Sequence, residues 1–259
     1  MISFIIPVYN KGTILYKTLT SLISKLKGHT ISDYEIIVVN DGSTDNSFAE
    51  ALRFKKFNGE TKKIKIFHYD TNIGKGFALQ FGFTKSTGDT IVFLDGDIDI
   101  DTSQVITGLK QFKTRQPDMV IGSKYLSTSR THYPLNRYLY SLILKSCIAL
   151  LFDLSISDTQ VGLKIFKRGV LSAVFPRMII KRFAVDLELL VVATLLGFTN
   201  IIETPVIINH NPANRSSVNL SAVKNFCLDM AAIFYRKNIL HYYEQTTKQS
   251  IPYSVAIDT

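Results

Sequence analysis

Four aspartates occupy alternate positions in the segment Asp95-Gly96-Asp97-Ile98-Asp99-Ile100-Asp101, directly after an apolar run. In an extended chain, residues i, i+2 and i+4 point to the same side, so Asp95, Asp97 and Asp99 converge on one point. Carboxylates that lie so close repel each other unless a cation compensates them. Because oxygen ligands suit hard cations, the segment predicts a Mg²⁺ or Mn²⁺ site. A solvated acidic turn is the alternative, since this spacing alone is common.

Two hydrophobic periods alternate over the first half of the chain and indicate the elements that position these carboxylates. Short β-branched runs predict strands, and apolar residues three and four positions apart predict helices. The predicted strands are Ser3–Val8, Tyr34–Val39, Ile64–Tyr69 and Thr90–Leu94, and the predicted helices are Thr13–Leu26, Thr44–Phe57 and Gly76–Lys85. This alternation predicts an α/β fold with a mainly parallel central sheet and helices on both faces.

The second half has a less regular pattern. It predicts strands at Met119–Ser123 and Thr199–Ile208, and helices at Leu135–Leu151, Val185–Leu196 and Ser221–Tyr235. No repeat or linker separates the two halves. We therefore expect a single domain over residues 1–240 with a helical C-terminal extension, followed by a loose tail over residues 241–259.

Ligands of parallel sheets bind beyond the carboxyl ends of the strands, which directs attention to Pro7–Gly12, Asn40–Asp45 and Asp95–Asp101. Tyr9 offers an aromatic wall to a base. Asp41 either accepts a hydrogen bond from a base or shapes its own turn. Glycines flank Lys75, whose charge suits a phosphate, although neither a Walker A loop nor a dinucleotide-binding G-x-G-x-x-G is present.

The charge balance points to an anionic partner. The 259 residues carry a net charge of +9, with 46% hydrophobic and 20% charged residues, as in ordinary globular proteins. Nucleic acid, a membrane face and phosphorylated small molecules all fit this charge. The sequence shows neither a signal peptide nor an apolar run long enough to span a membrane, so we expect a cytoplasmic protein, peripheral on the cytoplasmic face of a membrane.

Several segments occur in the order found in one enzyme family. They are Ile5-Ile6-Pro7-Val8-Tyr9-Asn10, Val38-Val39-Asn40-Asp41-Gly42-Ser43-Thr44-Asp45, Asn72-Ile73-Gly74-Lys75-Gly76 and Asp95-Gly96-Asp97. With these segments the chain resembles glycosyltransferase family 2, which has the GT-A (nucleotide-diphospho-sugar transferase) fold. The later string Asp158-Thr159-Gln160-Val161-Gly162-Leu163-Lys164-Ile165-Phe166 is similar to the polyprenyl-phosphate branch, the dolichyl-phosphate glucose and mannose synthases, and favours the glucosyl type.

The resemblance implies an inverting, metal-dependent transfer of a hexose from a nucleotide sugar, with UDP-glucose favoured, to a polyprenyl or dolichyl phosphate. It implies a nucleotide-sugar-binding half over residues 1–125 and an acceptor-binding half over 126–240. Mg²⁺ or Mn²⁺ is the implied cofactor, held by Asp95, Asp97 and Asp99. The expected nucleotide-sugar-binding residues are Pro7, Tyr9, Asn10, Asp41, Lys75, Asp95 and Gly96.

An acceptor phosphate needs cations but no strong general base, because its oxygen is already anionic. The expected cations are Lys124, Arg137, Lys164 and Arg215, with Arg130 as a further candidate. The expected catalytic residues are Asp97, Asp186 and Lys164. Asp186 or Glu188 orients a cation or the sugar, or else is a structural carboxylate at a helix start. Three residues depart from the pattern of the family that the chain resembles: Asp99 replaces a frequent glutamine, Lys11 replaces a usual glutamate, and Lys124 replaces a frequent arginine.

Other hypotheses remain open at this stage. The helix over Leu135–Phe152 lies either along a membrane interface, where it guides the polyprenyl chain, or in the core. Alternative donors and acceptors are GDP-mannose and a saccharide hydroxyl. A nucleotide-binding module without catalysis and a nucleic-acid-binding protein are the competing classes. The resemblance also leaves open whether a separate membrane-protein partner replaces the spanning helices of many relatives.

Overall fold

The computed structural model describes residues 1–97, 101–131, 135–182, 184–208 and 220–245. The strands are β1 (Ile2–Val8), β2 (Tyr34–Asp41), β3 (Ile64–Tyr69), β4 (Thr90–Phe93), β5 (Met119–Ser123), β6 (Arg130–Thr131), β7 (Lys164–Lys167), β8 (Ile201–Pro205) and β9 (Ile207–Ile208). The helices are α1 (Gly12–Gly28), α2 (Ser47–Phe57), α3 (Lys75–Lys85), α4 (Ser103–Arg115), α5 (Leu135–Phe152), α6 (Arg168–Val174), α7 (Val185–Leu195) and α8 (Leu220–Asn238).

Seven of these strands form one sheet in the order β3-β2-β1-β4-β7-β5-β8, while β6 and β9 pair separately. Every strand of the large sheet is parallel except β7, which runs antiparallel to both β4 and β5. The predicted α/β fold with a mainly parallel sheet is confirmed. Strands from both halves of the chain contribute to this sheet.

Helices cover both faces of the sheet because its strands are apolar on both sides, and β2 is buried along its whole length. On one face, α1, α2 and α4 pack their apolar sides, including Leu19, Phe54 and Leu109, into one core. On the other face, α3 and the later helices form further apolar clusters that include Phe77 and Leu190. These layers hold the carboxyl ends of the parallel strands at one edge.

The predicted elements are present with small shifts at their ends, but the sequence pattern missed α4, β7 and α6. The predicted strand Thr199–Ile208 is wrong as a single strand, because β8 ends at Pro205 and β9 begins at Ile207 in the second sheet. Between them, the Val206 amide donates to Ser129 Oγ at 3.2 Å, and the Val206 carbonyl accepts from the Arg130 amide at 3.0 Å. These bonds direct the chain out of the large sheet.

The antiparallel direction of β7 matters for the site. Its first residue, Lys164, lies opposite Phe93, the last residue of β4. The segment that enters β7 therefore lies at the same edge as the carboxyl end of β4, where Asp95 and Asp97 follow. Lys164, which the sequence singled out as a site residue only by its motif, is thereby placed near the acidic segment.

The first residues of the expected tail, up to residue 245, lie within the described part of the structure. Tyr242–Glu244 form a 3₁₀ turn, and the Tyr243 side chain is fully buried against the core that α7 and α8 share. The packed part of the chain thus extends past residue 240, because an aromatic side chain at position 243 fills the core; residues 246–259 lie outside the described part. None of the helices in that part has the length and apolarity needed to cross a membrane.

A buried carboxylate joins the first four strands at the edge opposite the acidic segment. Glu35 in β2 accepts from Ser3 Oγ at 2.7 Å, from the Thr87 amide at 2.6 Å and from Lys65 Nζ at 2.6 Å. Burial opposes ionisation of Glu35, but these hydrogen bonds outweigh it and lower its pKa to about 2. The charged form therefore stabilises the fold.

We expect Glu35→Gln to lower the free energy of unfolding at neutral pH by about 2 kcal/mol, because Lys65 loses its partner. The stabilisation by Glu35 is fully present above its unfolded pKa, near 4.5, and is lost as the pH falls towards about 2. Urea titrations at several pH values measure both effects, and Glu244→Gln, at an exposed site, serves as the control. Parallel acid destabilisation of wild type and Glu35→Gln would contradict this role.

Candidate active site at the carboxyl edge of the sheet

The loops after β1 and β2 are joined directly. The Asn10 amide donates to Ser43 Oγ at 3.0 Å, and the Asn10 side-chain oxygen accepts from the Thr44 amide at 2.9 Å. Asn10 has φ of 52°, a left-handed conformation that asparagine tolerates better than most residues. Beside it, the Tyr9 side chain is 46% exposed. The predicted nucleoside residues Tyr9 and Asn10 thus lie at the open edge, next to Pro7 in β1.

Asp41, at the end of β2, is a buried carboxylate that holds the loop before α3. It accepts from the Ile73 amide at 2.8 Å, from the Gly74 amide at 3.0 Å and from Asn72 Nδ2 at 2.9 Å. Asp41 therefore shapes a loop, as the structural alternative has it. The loop is the one before α3, however, and not the turn that follows Asp41 itself. Contact with a base stays a prediction. Gly74 has φ of 124°, and an added Cβ would lie 2.3 Å from the Lys181 carbonyl.

The centre of the site is a chain of alternating charges. Lys75 Nζ lies 2.9 Å from Asp95 Oδ1 and 3.0 Å from Asp186 Oδ2. Lys164 Nζ lies 2.7 Å from Asp186 Oδ1 and donates to the Val161 carbonyl at 2.6 Å. Asp186, which the sequence assigned to catalysis, thus contacts two further expected site residues. These are Lys75, assigned to the nucleotide sugar, and Lys164, assigned to catalysis and to the acceptor phosphate. Lys164 has no exposed surface, so its ammonium is not accessible to an acceptor phosphate in this arrangement.

The pKa shifts in this network follow from burial and from the neighbouring charges. Burial alone would raise the pKa of Asp186, but the ammonium groups of Lys164 and Lys75 outweigh it and hold that pKa below its usual range. Burial disfavours the charged form of Lys75, yet Asp186 and Asp95 raise its pKa. Burial lowers the pKa of Lys164 despite Asp186, and Lys75 adds to the lowering.

Asp97, two residues after Asp95 in the acidic segment, forms an ion pair across the edge. Lys11 Nζ lies 3.0 Å from Asp97 Oδ2, with 29% of the lysine side chain and 16% of the aspartate side chain exposed. The resemblance led us to expect a glutamate at the position of Lys11. The sequence drew attention to this departure but gave no partner for it, because the two residues are separated by 86 positions.

The donor set fits a magnesium- or manganese-type ion in part. Asp95 and Asp97 supply hard carboxylate oxygens at the end of β4, and such ions commonly bind one or two carboxylates and complete their shell with phosphates and water. Asp99 lies outside the described residues. Within the described residues, no cluster of three or more His, Cys, Asp or Glu side chains suits a metal. A cation at this edge would therefore need further ligands, which a diphosphate supplies.

A glycine lets the segment before β7 approach Asp95. A Cβ added at Gly162 would lie 2.0 Å from Asp95 Oδ2, whereas Gly96, next to Asp95, would meet Val8 and Pro7. Gly162 belongs to the same string as Lys164. The string therefore contacts the acidic segment through Gly162, while Lys164 is linked to Asp95 only indirectly, through Asp186 and Lys75. The sequence motif contained Gly162, but nothing in its spacing indicated this contact.

Of the expected acceptor cations, the structure describes the side chains of Lys124, Lys164 and Arg130, and Lys164 is the one that lies in the charge network around Asp186. Lys124 Nζ lies 3.0 Å from Asp158 Oδ2, beside a small cavity of about 50 Å³ under α5. Arg130 is exposed in β6. Arg137 lies in α5, but its side chain is outside the described part of the structure, as is all of Arg215. Asp158, which binds Lys124, comes from the same string as Gly162.

Glu188, the second carboxylate at the start of α7, takes the structural role. It is fully buried and accepts from the Ile180 amide at 2.8 Å, from the Ile179 amide at 3.1 Å and from the Tyr243 hydroxyl at 2.8 Å. Burial raises the pKa of Glu188, although these donors oppose the shift. The backbone carbonyl of Lys181, the next residue of the loop, accepts a hydrogen bond from the Gly76 amide at 2.7 Å. Because Glu188 holds this loop, it supports the start of α3.

The structural comparison identifies the fold class. Glucosyl-3-phosphoglycerate synthase from Mycobacterium tuberculosis, solved in complex with Mn²⁺, UDP-glucose and phosphoglyceric acid, superposes with a TM-score of 0.69. It is 18% identical, and the match covers 92% of this chain and 79% of that one. The fold is GT-A, as the sequence predicts.

The sequence comparison then gives the family. The model of Glycosyl transferase family 2 matches residues 3–175, and the chain belongs to that family. It is therefore a glycosyltransferase. A dolichyl-phosphate beta-glucosyltransferase from Trichomonas vaginalis is 32% identical over 245 residues, which cover 91% of this chain and 74% of the relative. A dolichyl-phosphate beta-glucosyltransferase from Saccharomyces cerevisiae is 30% identical over 74% of this chain and 62% of its own length.

We expect Gly162→Ala to displace the Asp95 carboxylate and to lower kcat/KM about 10-fold to 100-fold, as loss of support around a metal ligand does. Because the Asp95 side chain is partly exposed and can move, the melting temperature should change little. Gly169→Ala is the matched control, since an added Cβ there meets nothing within 4 Å. Equal activity of the two variants would show that the close approach to Asp95 is unimportant.

Proposed function

We propose that this chain transfers glucose from UDP-glucose to a polyprenyl phosphate of the dolichyl phosphate type, with inversion and with Mg²⁺ or Mn²⁺ as cofactor. The observation that carries the proposal is the ion-paired Asp186, held between Lys164 and Lys75 at the edge where a nucleotide sugar binds. The family membership and the dolichyl-phosphate beta-glucosyltransferases among the relatives support it.

The state of Asp186 favours an anionic acceptor. A hydroxyl acceptor needs a general base, and a carboxylate whose pKa is held low by two ammonium groups is a poor proton acceptor. Glu188 is fully buried, and backbone amides and Tyr243 occupy its oxygens. Since neither carboxylate at the start of α7 suits the role of base, a phosphate oxygen, which arrives deprotonated, is the better nucleophile for this site.

The roles of the other residues follow from their positions. Tyr9 and Asn10 bind the nucleoside, and Lys75, which is partly exposed, places its charge beside the diphosphate. A divalent cation bound by Asp95 and Asp97 neutralises charge on the leaving diphosphate. Lys164 positions Asp186 rather than binding acceptor, and Lys124, with Arg137 and Arg215, serves the acceptor phosphate.

A membrane surface is the proposed location, on the cytoplasmic face. One side of α5 packs in the core through Ile148 and Phe152, while Ile143 and Leu150, seven positions apart, are 61% and 86% exposed. α5 thus packs in the core on one side, and the apolar residues exposed on its other side support the proposed contact with the membrane interface. α8 lies beside α5, since the rings of Phe152 and Phe234 are 6.3 Å apart. This helix and the two residues after it expose further apolar side chains: Val223, Leu228, Tyr235, Ile239 and Leu240.

The central test is a transfer assay with radiolabelled UDP- and GDP-sugars, with and without a short polyprenyl phosphate and a saccharide acceptor. We expect lipid-linked glucose only from UDP-glucose, only with lipid phosphate and only with divalent metal. Asp97→Asn should lower kcat/KM by about 10²-fold or more, because the leaving diphosphate loses stabilisation. Asp89→Asn, at the opposite end of β4, is the control. Transfer from GDP-mannose or to a saccharide would replace the proposed donor or acceptor, and full activity of Asp97→Asn would reject the metal assignment.

Membrane binding is tested separately by vesicle flotation. Leu150→Glu should lower the partition onto anionic vesicles about tenfold, because a charge replaces a large apolar side chain at the proposed contact. Leu52→Glu on α2, an exposed leucine of the opposite layer, should leave the partition unchanged. Wild-type protein that stays with the unbound fraction would contradict the peripheral location.

A further inference from the structure

Lys11 has a fixed backbone and a side chain that reaches Asp97. Its amide donates to Ser47 Oγ at 2.8 Å, and its carbonyl accepts from the Ile14 and Leu15 amides at 3.0 and 2.9 Å, where α1 begins. The main chain of Lys11 is thus anchored on both sides. A lysine side chain has four carbons and a compact ammonium, so this group can leave Asp97 without movement of the backbone.

Asp95 and Asp97 each have an ammonium partner, but the two ammonium groups differ in how firmly they are held. Lys75 binds both Asp95 and Asp186, which raise its pKa. Among the residues that the structure describes, Lys11 pairs with Asp97 alone, and its side chain is partly exposed. A divalent cation that enters this edge therefore competes with two ammonium groups. The group at Asp97, which belongs to Lys11, is the more easily displaced of the two.

We infer that the Lys11 ammonium competes with the divalent cation for Asp97, so that the cation binds strongly only when a nucleotide diphosphate arrives with it. This inference rests on the proposed function. Without the nucleotide, a metal ion must displace Lys11 and then faces a nearby positive charge. With the nucleotide, the phosphates add negative charge to the same edge, which offsets the repulsion between the cation and the displaced ammonium.

The coupling has a reciprocal consequence. If a nucleotide diphosphate raises the affinity for the cation by some factor, the cation must raise the affinity for the nucleotide by the same factor. With Lys11 in place, the protein would thus bind each of the two ligands weakly when that ligand comes alone. It would bind both ligands firmly when they come together. A neutral side chain at this position would not compete for Asp97, so the lysine itself sets this order of ligand affinities.

The test is Mn²⁺ binding followed by electron paramagnetic resonance, with and without UDP, on wild type, Lys11→Gln, Lys11→Arg and Lys27→Gln. Without UDP, we expect Lys11→Gln to bind Mn²⁺ about tenfold more tightly, the effect of removing one nearby like charge. Lys11→Arg should match wild type. Lys27→Gln removes the same charge from the far end of α1 and should also match wild type. The gain from UDP should be smaller in Lys11→Gln than in wild type.

Lys11→Met is the second variant, and it should tighten Mn²⁺ binding as Lys11→Gln does. Unchanged Mn²⁺ affinity in both neutral variants would overturn the inference, as would a gain from UDP equal to that of wild type. Sugar transfer to lipid phosphate is measured on the same preparations. Transfer without the expected Mn²⁺ shift overturns the inference alone, whereas the Mn²⁺ shift without transfer overturns the proposed function alone.

Discussion

The buried ion pair between Lys164 and Asp186 is the interaction on which the rest of the site depends. An ammonium without exposed surface is costly unless a carboxylate and further acceptors surround it, and Asp186 with the Val161 carbonyl meets that need. Because Asp186 is fixed by this pair, it can hold Lys75 from the other side, and Lys75 in turn holds Asp95. The ion pair thus sets the position of the acidic segment.

The segment from Asp158 to Lys164 connects the parts of the site. It supplies Asp158 to Lys124 under α5, Gly162 to the contact with Asp95, and Lys164 to the ion pair at the start of β7. These contacts are possible because β7 runs antiparallel between β4 and β5, so its beginning meets the end of β4. A single short strand therefore links the ion pair of Lys124 and Asp158 under α5 to the carboxylates at the end of β4.

The sequence predicted the elements whose hydrophobic pattern is long and regular, and it missed those that depend on distant neighbours. The buried runs of β1 to β4 and the helices between them have clear periods. β7 is four residues long with a lysine at each end, so a local pattern does not distinguish it from a loop. α4 has an amphipathic pattern, but it follows the acidic segment, which dominated the interpretation of that region.

The site residues show the same division. Strand ends placed Tyr9, Asn10, Asp95 and Asp97 at one edge, as parallel topology requires. The partners of the charged groups were not predictable, because Lys75 and Asp186 are separated by 111 positions, and Lys11 and Asp97 by 86. The sequence assigned Lys164 to a ligand, whereas its complete burial makes it a support for Asp186. Burial of a lysine depends on the packing around it, which spacing does not report.

The separation of these partners also has a consequence for the order in which the protein becomes competent during synthesis. The first four strands leave the ribosome with Lys75 and Asp95 already present but without Asp186 to fix them. The loop that supports α3 is completed later still, when the Tyr243 hydroxyl reaches Glu188. A nascent or truncated chain therefore carries an incomplete edge, and the arrangement needed for sugar transfer forms only once nearly the whole polypeptide has folded.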